Sequence, residues 1–213
     1  MSDEIKKMEA RHLSSKFEEA FQLAFELHQT KGRQGRKGKD TPYVSHLMAV
    51  AALVLEFGGS EEEAIAALLH DAVEDQGGRE TLKLIEQRFG PKVANIVLDC
   101  SDCEGDPKPA WRERKRKYLE HLPHVSPSSR IVSLADKIHN AGTILRDLRH
   151  YGLKTFDRFT GKRGGTLWYY DALARTFLEQ RSDEMAKELD RIVNELYKAV
   201  EEVRPGRPSF PEN

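Results

Sequence analysis

The feature that most constrains the fold is an apolar segment, residues 64–69, that runs directly into a cluster of polar side chains. Ser60 and Glu63 have the spacing of a capping box, which predicts that a helix begins just before this segment. The segment is apolar on almost every face of such a helix. We therefore expect this helix to lie buried in the core.

The polar cluster after this segment is His70, Asp71, Glu74 and Asp75. Carboxylates near the C-terminal end of a helix are disfavoured by the helix dipole, and a buried carboxylate without a partner is costly. A divalent metal ion is the simplest compensation for these charges. The alternative interpretation is a helix that ends early and leaves Glu74 and Asp75 in water.

Two other apolar segments each contain one side chain that can bind a metal. His46 lies within residues 43–55, and Asp136 lies within residues 131–140, where the apolar residues form a core-facing stripe. A single histidine on an apolar helix is more often a hydrogen-bonded core residue. Three such segments favour a shared metal site instead. The candidate ligands are His46, His70, Asp71 and Asp136.

The charge balance bears on the class of partner. The chain has 213 residues, with 34 Lys and Arg against 35 Asp and Glu, giving a net charge of −1. A nucleic-acid-binding protein would be expected to be basic, so we expect no nucleic-acid partner. There is no apolar run long enough to span a bilayer, and the N-terminus is acidic rather than signal-like, so we expect no membrane partner and a cytoplasmic protein.

Helical periodicity dominates the chain, and there is no convincing alternating strand pattern. We therefore predict an all-α protein with one domain over residues 1–203, whose last helix runs from about 166 to 203. Residues 204–213 are predicted to be a disordered tail. Cys100 and Cys103 are surrounded by acidic residues, which favours plain reduced cysteines over a redox pair.

Basic side chains cluster in two glycine-rich segments, residues 31–39 and 161–165, and in the helix predicted from Trp111 to Leu122. Such clusters are usually solvated surface. The first segment directly precedes His46, which favours phosphate binding there. The candidate substrate contacts from these basic segments are Arg36, Lys37, Arg112, Lys162 and Arg163.

The candidate ligands also indicate the type of chemistry. Two histidines and two aspartates suit Mn, Fe, Zn or Mg, and such an ion activates bound water and neutralises phosphoryl charge. Glu74 and Asp75 follow the ligand pair by one helical turn, where a carboxylate can orient water or carry its proton. His139 is expected to pack or to bond locally.

At this point the chain resembles a known family. The matching stretches are residues 36–46, 66–75 and 134–140. In them His46, the His70-Asp71 pair and Asp136 fit the H…HD…D pattern of HD-domain phosphohydrolases. The resemblance is closest to the (p)ppGpp hydrolase branch, which comprises the hydrolase halves of RelA/SpoT proteins and the single-domain alarmone hydrolases.

The resemblance implies a single HD-domain helical bundle with a manganese ion, other divalent metals being alternatives, held by the four candidate ligands. It also implies that Glu74 and Asp75 activate the attacking water. Arg36 and Lys37 would pack against the base or its phosphates, and Asn140 would contact the nucleotide. The implied reaction removes the 3′-pyrophosphate of the stringent-response nucleotide guanosine tetra- or pentaphosphate. The 213 residues are too few to hold the synthetase domain of RelA/SpoT proteins as well, so the resemblance leads us to expect a stand-alone hydrolase.

Some positions depart from the pattern of the family and leave other functions open. Leu47 replaces a common proline, Trp111 falls where a relative has a nucleotide-binding lysine, and residues 161–170 are unlike the corresponding RelA/SpoT loop. One alternative is a phosphatase for a nucleoside monophosphate or the 2′-phosphate of NADPH. Another is a nucleotide-binding regulatory module with a vestigial metal site. In all of these interpretations the binding partner is a small phosphorylated nucleotide.

Overall fold

The computed structural model describes residues 12–30, 40–102 and 109–202, and these ranges contain helices and no β-strand. The α-helices are α1 (Ser15–Thr30), α2 (Val44–Glu56), α3 (Glu61–Leu69), α4 (Ala72–Asp75), α5 (Gly78–Phe89), α6 (Pro91–Cys100), α7 (Trp111–His121), α8 (Pro127–Tyr151), α9 (Lys162–Gln180) and α10 (Glu184–Glu202). Two 3-10 segments, Leu122–His124 and Gly152–Arg158, flank α8. The all-α prediction is confirmed.

The core forms around α3, which packs between α2, α6 and α8. Every residue from 64 to 69 is buried, as the apolar pattern predicts. The predicted capping box is present: the Ser60 amide donates to Glu63 at 2.7 Å, and the Glu63 amide donates to the Ser60 hydroxyl at 3.3 Å. The helix start is therefore determined locally and its burial by the core.

The helix that carries the His-Asp pair does not continue through it. α3 ends at Leu69 with His70 as its C-cap, and a separate short helix, α4, begins after Asp71. His70 and Asp71 both keep right-handed helical backbone angles across this break, with φ of −59° and −97°. The early end matches one of the two interpretations from sequence, but Glu74 and Asp75 are half-buried rather than left in water.

The prediction of one C-terminal helix over residues 166–203 is wrong. The structure has two helices there, α9 and α10, separated at residues 181–183. Asp183 caps α10 by accepting a hydrogen bond from the Ala186 amide at 2.9 Å, and Arg130 donates to the Arg181 carbonyl at 2.8 Å. The glycine-rich segment at 161–165 is also not a loop, because it forms the first turn of α9.

The two C-terminal helices pack on α8, which also contacts α2, α3 and α6. α8 is thus the central helix, and Asp136 lies near its middle. Across the described ranges, each helix is either too short or too polar to cross a membrane. The tail predicted at 204–213 lies outside the described residues.

Candidate active site

The four candidate metal ligands come from three helices that pack against one another. His46 lies on α2, His70 caps α3, Asp71 follows it, and Asp136 lies on α8. His46, His70 and Asp136 are 1%, 2% and 6% exposed. These side chains are therefore fixed by the core rather than by a loop.

The ligand atoms meet at one point. The Oδ1 atom of Asp136 lies 3.2 Å from His46 Nε2 and 3.6 Å from His70 Nε2. Asp71 Oδ2 lies 3.2 Å from His70 Nε2 and 3.8 Å from His46 Nε2. The structure thus brings together all four side chains that the sequence singled out, from positions up to ninety residues apart.

The histidine nitrogens fit a metal site. The Nε2 atoms of His46 and His70 are both buried without a hydrogen-bond partner among the described residues. His70 Nδ1 lies 2.8 Å from the Ala67 carbonyl oxygen, which can only accept, so Nδ1 carries a proton and Nε2 is the nitrogen that faces the site. Two imidazole nitrogens and two carboxylates form a donor set suited to a divalent cation.

The site is dominated by its carboxylates. Burial would raise the pKa of Asp136, but Lys137 and the two histidines hold that pKa well below its usual range. Burial would lower the pKa of His70, but Asp71 and Asp136 outweigh it and raise that pKa well above its ordinary value. At His46 burial prevails and lowers the pKa. An entering cation therefore meets ionised carboxylates and a neutral His46.

A cavity of about 220 Å³ opens beside this cluster, between α7, α8 and α9. Asp71, Glu74 and Asp136 line one side of it. The rest of its lining includes cations and aromatic side chains: Lys115, Lys137, Arg158, Tyr43, Trp111, Tyr118, Phe159, Tyr169 and Tyr170. The combination suits a ligand with a flat ring and several negative charges.

The two predicted catalytic carboxylates lie in different places. Glu74 lines the cavity, and its Oε1 atom lies 3.6 Å from the Arg114 guanidinium. Asp75 lines a neighbouring shallow pocket with Gln76 and Thr81 instead. Glu74 is therefore the better placed of the two to reach a water molecule at the metal cluster.

The predicted substrate contacts divide into three groups. Asn140 lines the cavity and donates a hydrogen bond to Asp136. Arg112 and Lys162 are exposed and are not among the cavity-lining residues: Arg112 lies over the Trp168 ring at 5.4 Å, and the Lys162 ammonium donates to the Asp157 carbonyl at 2.8 Å. Arg163 is likewise exposed and off the lining. Arg36 and Lys37 lie outside the described residues.

Sequence reasoning missed several side chains at the site. Lys115, Lys137 and Arg158 line the cavity, and of these only Lys137 is adjacent to a candidate ligand in sequence. Tyr43 precedes His46 by three residues, a spacing that places both on one side of a helical turn, and its hydroxyl donates to Asp71. His139 Nδ1 lies 2.7 Å from His46 Nδ1, so it bonds across helices rather than locally.

Comparison with known proteins defines the class. The profile of the family described as HD domain matches residues 20–167, and the chain belongs to this family. The all-α fold agrees with this membership, and residues 20–167 include all four candidate ligands.

Individual relatives are more specific. The chain is 41% identical over 133 residues to the guanosine-3′,5′-bis(diphosphate) 3′-pyrophosphohydrolase MESH1 of Xenopus tropicalis, a match that covers 62% of this chain and 68% of the relative. It is 39% identical over 132 residues to the Homo sapiens protein of the same name, covering 61% and 68%. A solved structure of a metazoan orthologue of SpoT, described as hydrolysing ppGpp, superposes with a TM-score of 0.69 at 28% identity, covering 88% of this chain and 98% of that one.

Proposed function

We propose that this chain is a metal-dependent hydrolase that removes the 3′-pyrophosphate of guanosine tetra- or pentaphosphate. The products are GDP or GTP and pyrophosphate. The observation that carries the proposal is the convergence of the four candidate ligands beside a cavity that Asp71 and Asp136 line together with several cationic side chains. The similarity to pyrophosphohydrolases that act on this nucleotide supports the choice of substrate.

We propose manganese as the resident ion, held by His46, His70, Asp71 and Asp136. A divalent ion in such a site lowers the pKa of bound water and neutralises charge on a phosphoryl group. The two unpartnered Nε2 atoms support the assignment of a metal at this place. The donor set also suits iron, zinc and magnesium, so the choice of manganese rests on the family resemblance.

In the proposed reaction Glu74 accepts a proton from the attacking water. The water oxygen bonds to the phosphorus attached to the ribose, the bond from that phosphorus to O3′ breaks, and O3′ takes up a proton. The Arg114 guanidinium, 3.6 Å from Glu74 Oε1, holds this carboxylate in place at the edge of the cavity. Asp75 is proposed as the second carboxylate that orders water at the site.

Two of the cavity cations are held in place by buried carboxylates. The Lys115 ammonium lies 2.6 Å from Asp102, and Arg158 donates to Asp147, with the carboxylate side chains only 3% and 7% exposed. A guanidinium has five N–H donors, so Arg158 keeps donors for a phosphate. Cations fixed in advance lose little side-chain entropy when a polyphosphate binds. This arrangement supports a substrate with a second charged group away from the metal.

We further propose that the partner is a small phosphorylated nucleotide rather than a nucleic acid, and that the protein acts in the cytoplasm. The net charge of −1 supports a small nucleotide over a nucleic acid, because a protein that binds a nucleic-acid backbone usually has an excess of basic residues. Arg36, Lys37, Arg112, Lys162 and Arg163 remain candidate contacts at the rim.

The test is to incubate manganese-loaded protein with guanosine tetraphosphate and to separate the products by anion-exchange chromatography. We expect GDP and pyrophosphate in equal amounts. Asp136→Asn should lose bound metal and activity together, whereas Lys117→Gln, an exposed surface change, should keep both. Release of orthophosphate alone, with faster turnover of NADPH or a nucleoside monophosphate, would replace this proposal with a phosphatase of that kind.

A further inference from the structure

The metal-facing histidine His46 forms an unusual contact with a second histidine. Its Nδ1 atom lies 2.7 Å from Nδ1 of His139 on α8. The ring planes are 29° apart and the ring centroids are 4.9 Å apart. A nitrogen separation this much shorter than the centroid separation means that the rings meet edge to edge, as a nitrogen–nitrogen hydrogen bond requires.

Only one of the two facing nitrogens can carry the proton of this bond. If His46 donates from Nδ1, its Nε2 atom presents a lone pair to Asp136 and the metal site. If His139 donates instead, a neutral His46 must carry its proton on Nε2, the nitrogen that faces the site and lies 3.2 Å from Asp136 Oδ1. The first arrangement binds a metal, and the second blocks it.

We propose that His139 is a positioning residue that selects the metal-binding tautomer of His46. It does so by accepting the Nδ1–H of His46, which requires His139 to be neutral with its own proton on Nε2. The Ala67 carbonyl performs the same task for His70, at 2.8 Å. A carbonyl can only accept, whereas an imidazole can also donate, so the orientation of the His46 lone pair depends on the tautomer of a second side chain.

This inference rests on the proposed metal site, and its test reads metal binding and proton position rather than turnover. Manganese affinity is measured by competition with a fluorescent chelator for wild type, His139→Leu and His139→Asn. The leucine removes the acceptor, whereas the asparagine side-chain oxygen retains one. We expect His139→Leu to bind manganese about 10- to 100-fold more weakly, as for loss of other groups that orient a ligand, and His139→Asn to recover most of this loss.

His150→Leu is the matched control, since His150 is an exposed histidine on the same helix. It should leave the affinity unchanged. Nitrogen-15 NMR of the wild-type protein loaded with diamagnetic zinc needs no variant, so it stays informative if a substitution impairs folding. We expect His139 Nδ1 to be unprotonated and Nε2 to carry the proton.

Equal manganese affinity of folded His139→Leu and wild type would overturn the inference while leaving the metal site intact. A proton on His139 Nδ1 in the zinc-loaded protein would overturn it as well. Failure of the wild type to bind manganese or zinc at all would overturn the proposed function and this inference together.

Discussion

Replacing Lys137 with methionine removes the cation closest to Asp136. The Lys137 ammonium lies 2.6 Å from Asp136 Oδ2, and the two side chains are only 12% and 8% exposed. The ammonium also lies 4.9 Å from the centre of the Tyr118 ring. Methionine fills a similar volume, so the main effect is to leave a buried carboxylate without its strongest neutralising partner.

The expected cost follows from this burial. Removing one partner of a buried ion pair costs about 3–5 kcal/mol. Asn140 still donates to Asp136 and the pair keeps some contact with solvent, so we take the lower end, about 3 kcal/mol. For a domain of this size that corresponds to a fall in melting temperature of roughly 6–12 °C.

The measurement is urea unfolding followed by circular dichroism, in EDTA so that no cation replaces the lysine. Lys117→Met is the matched control, because the ion pair of Lys117 with Glu113 is exposed to solvent and its loss should leave the stability nearly unchanged. The double variant Asp136→Asn/Lys137→Met should recover much of the loss, since it removes the uncompensated charge. The gap between Lys137→Met and wild type should narrow as the pH falls from neutral, because protonation of Asp136 relieves the variant.

A loss for Lys137→Met no larger than that for Lys117→Met would refute this account of the ion pair. So would a double variant less stable than Lys137→Met alone, because the carboxylate would then not be the source of the cost.

Four other predictions concern catalysis and stability. Glu74→Gln and Asp75→Asn should each keep bound metal while turnover falls roughly 100-fold or more, with metal content and rate measured on the same preparation; full activity in both would remove them from the mechanism. Arg36→Ala should raise KM for guanosine tetraphosphate more than it lowers kcat in steady-state assays, because it removes binding rather than water activation. Asp183→Ala should lower the free energy of unfolding by about 1 kcal/mol, and Asp183→Asn by less, because Asp183 caps α10. Burial would raise the pKa of Asp183, but the hydrogen bond from the Ala186 amide and the pairing with Arg130 lower it. The stability that Asp183 contributes should therefore be present above about pH 4 and be lost as the pH falls. Burial raises the pKa of the Cys100 thiol to about 11, so the folded protein keeps this proton at a pH where the unfolded chain has lost it. The free energy of unfolding should therefore fall as the pH rises from about 9 to 11, and this fall should be less steep in Cys100→Ala.

Much of the metal cluster is predictable because its residues break a local rule. His46, His70 and Asp136 are polar side chains within apolar helices, and burial of such groups requires a partner. The apolar faces of these helices must pack against one another, and the contacts that form the core also bring the ligands together. The burial of apolar side chains therefore explains both the sequence pattern and the geometry of the site.

The rest of the cavity could not be predicted in this way. Arg158 belongs to a 3-10 segment and reaches the cavity through its pairing with Asp147, a contact that no spacing reveals. Lys115 lies in a run of basic residues on α7, some of which face solvent and some the cavity. Only the packing of α7 on α9 determines which of these side chains reaches the cavity. The break between α9 and α10 depends on Arg130, some fifty residues earlier in the chain. Each of these depends on tertiary contacts rather than on local propensity.

The Trp111 ring packs against two glycines at the start of α9: Gly161, which precedes the helix as its N-cap, and Gly165 in its first turn. A methyl group added at Gly161 would come within 2.6 Å of the indole, and one at Gly165 within 3.1 Å, closer than neighbouring atoms ordinarily approach. Trp111 lines the cavity, so displacing its ring changes the space open to a ligand. The width of the cavity is therefore adjustable by a single carbon atom at either position. A change that small replaces none of the four candidate metal ligands, so the shape of this cavity can diverge between related chains while the metal cluster stays the same.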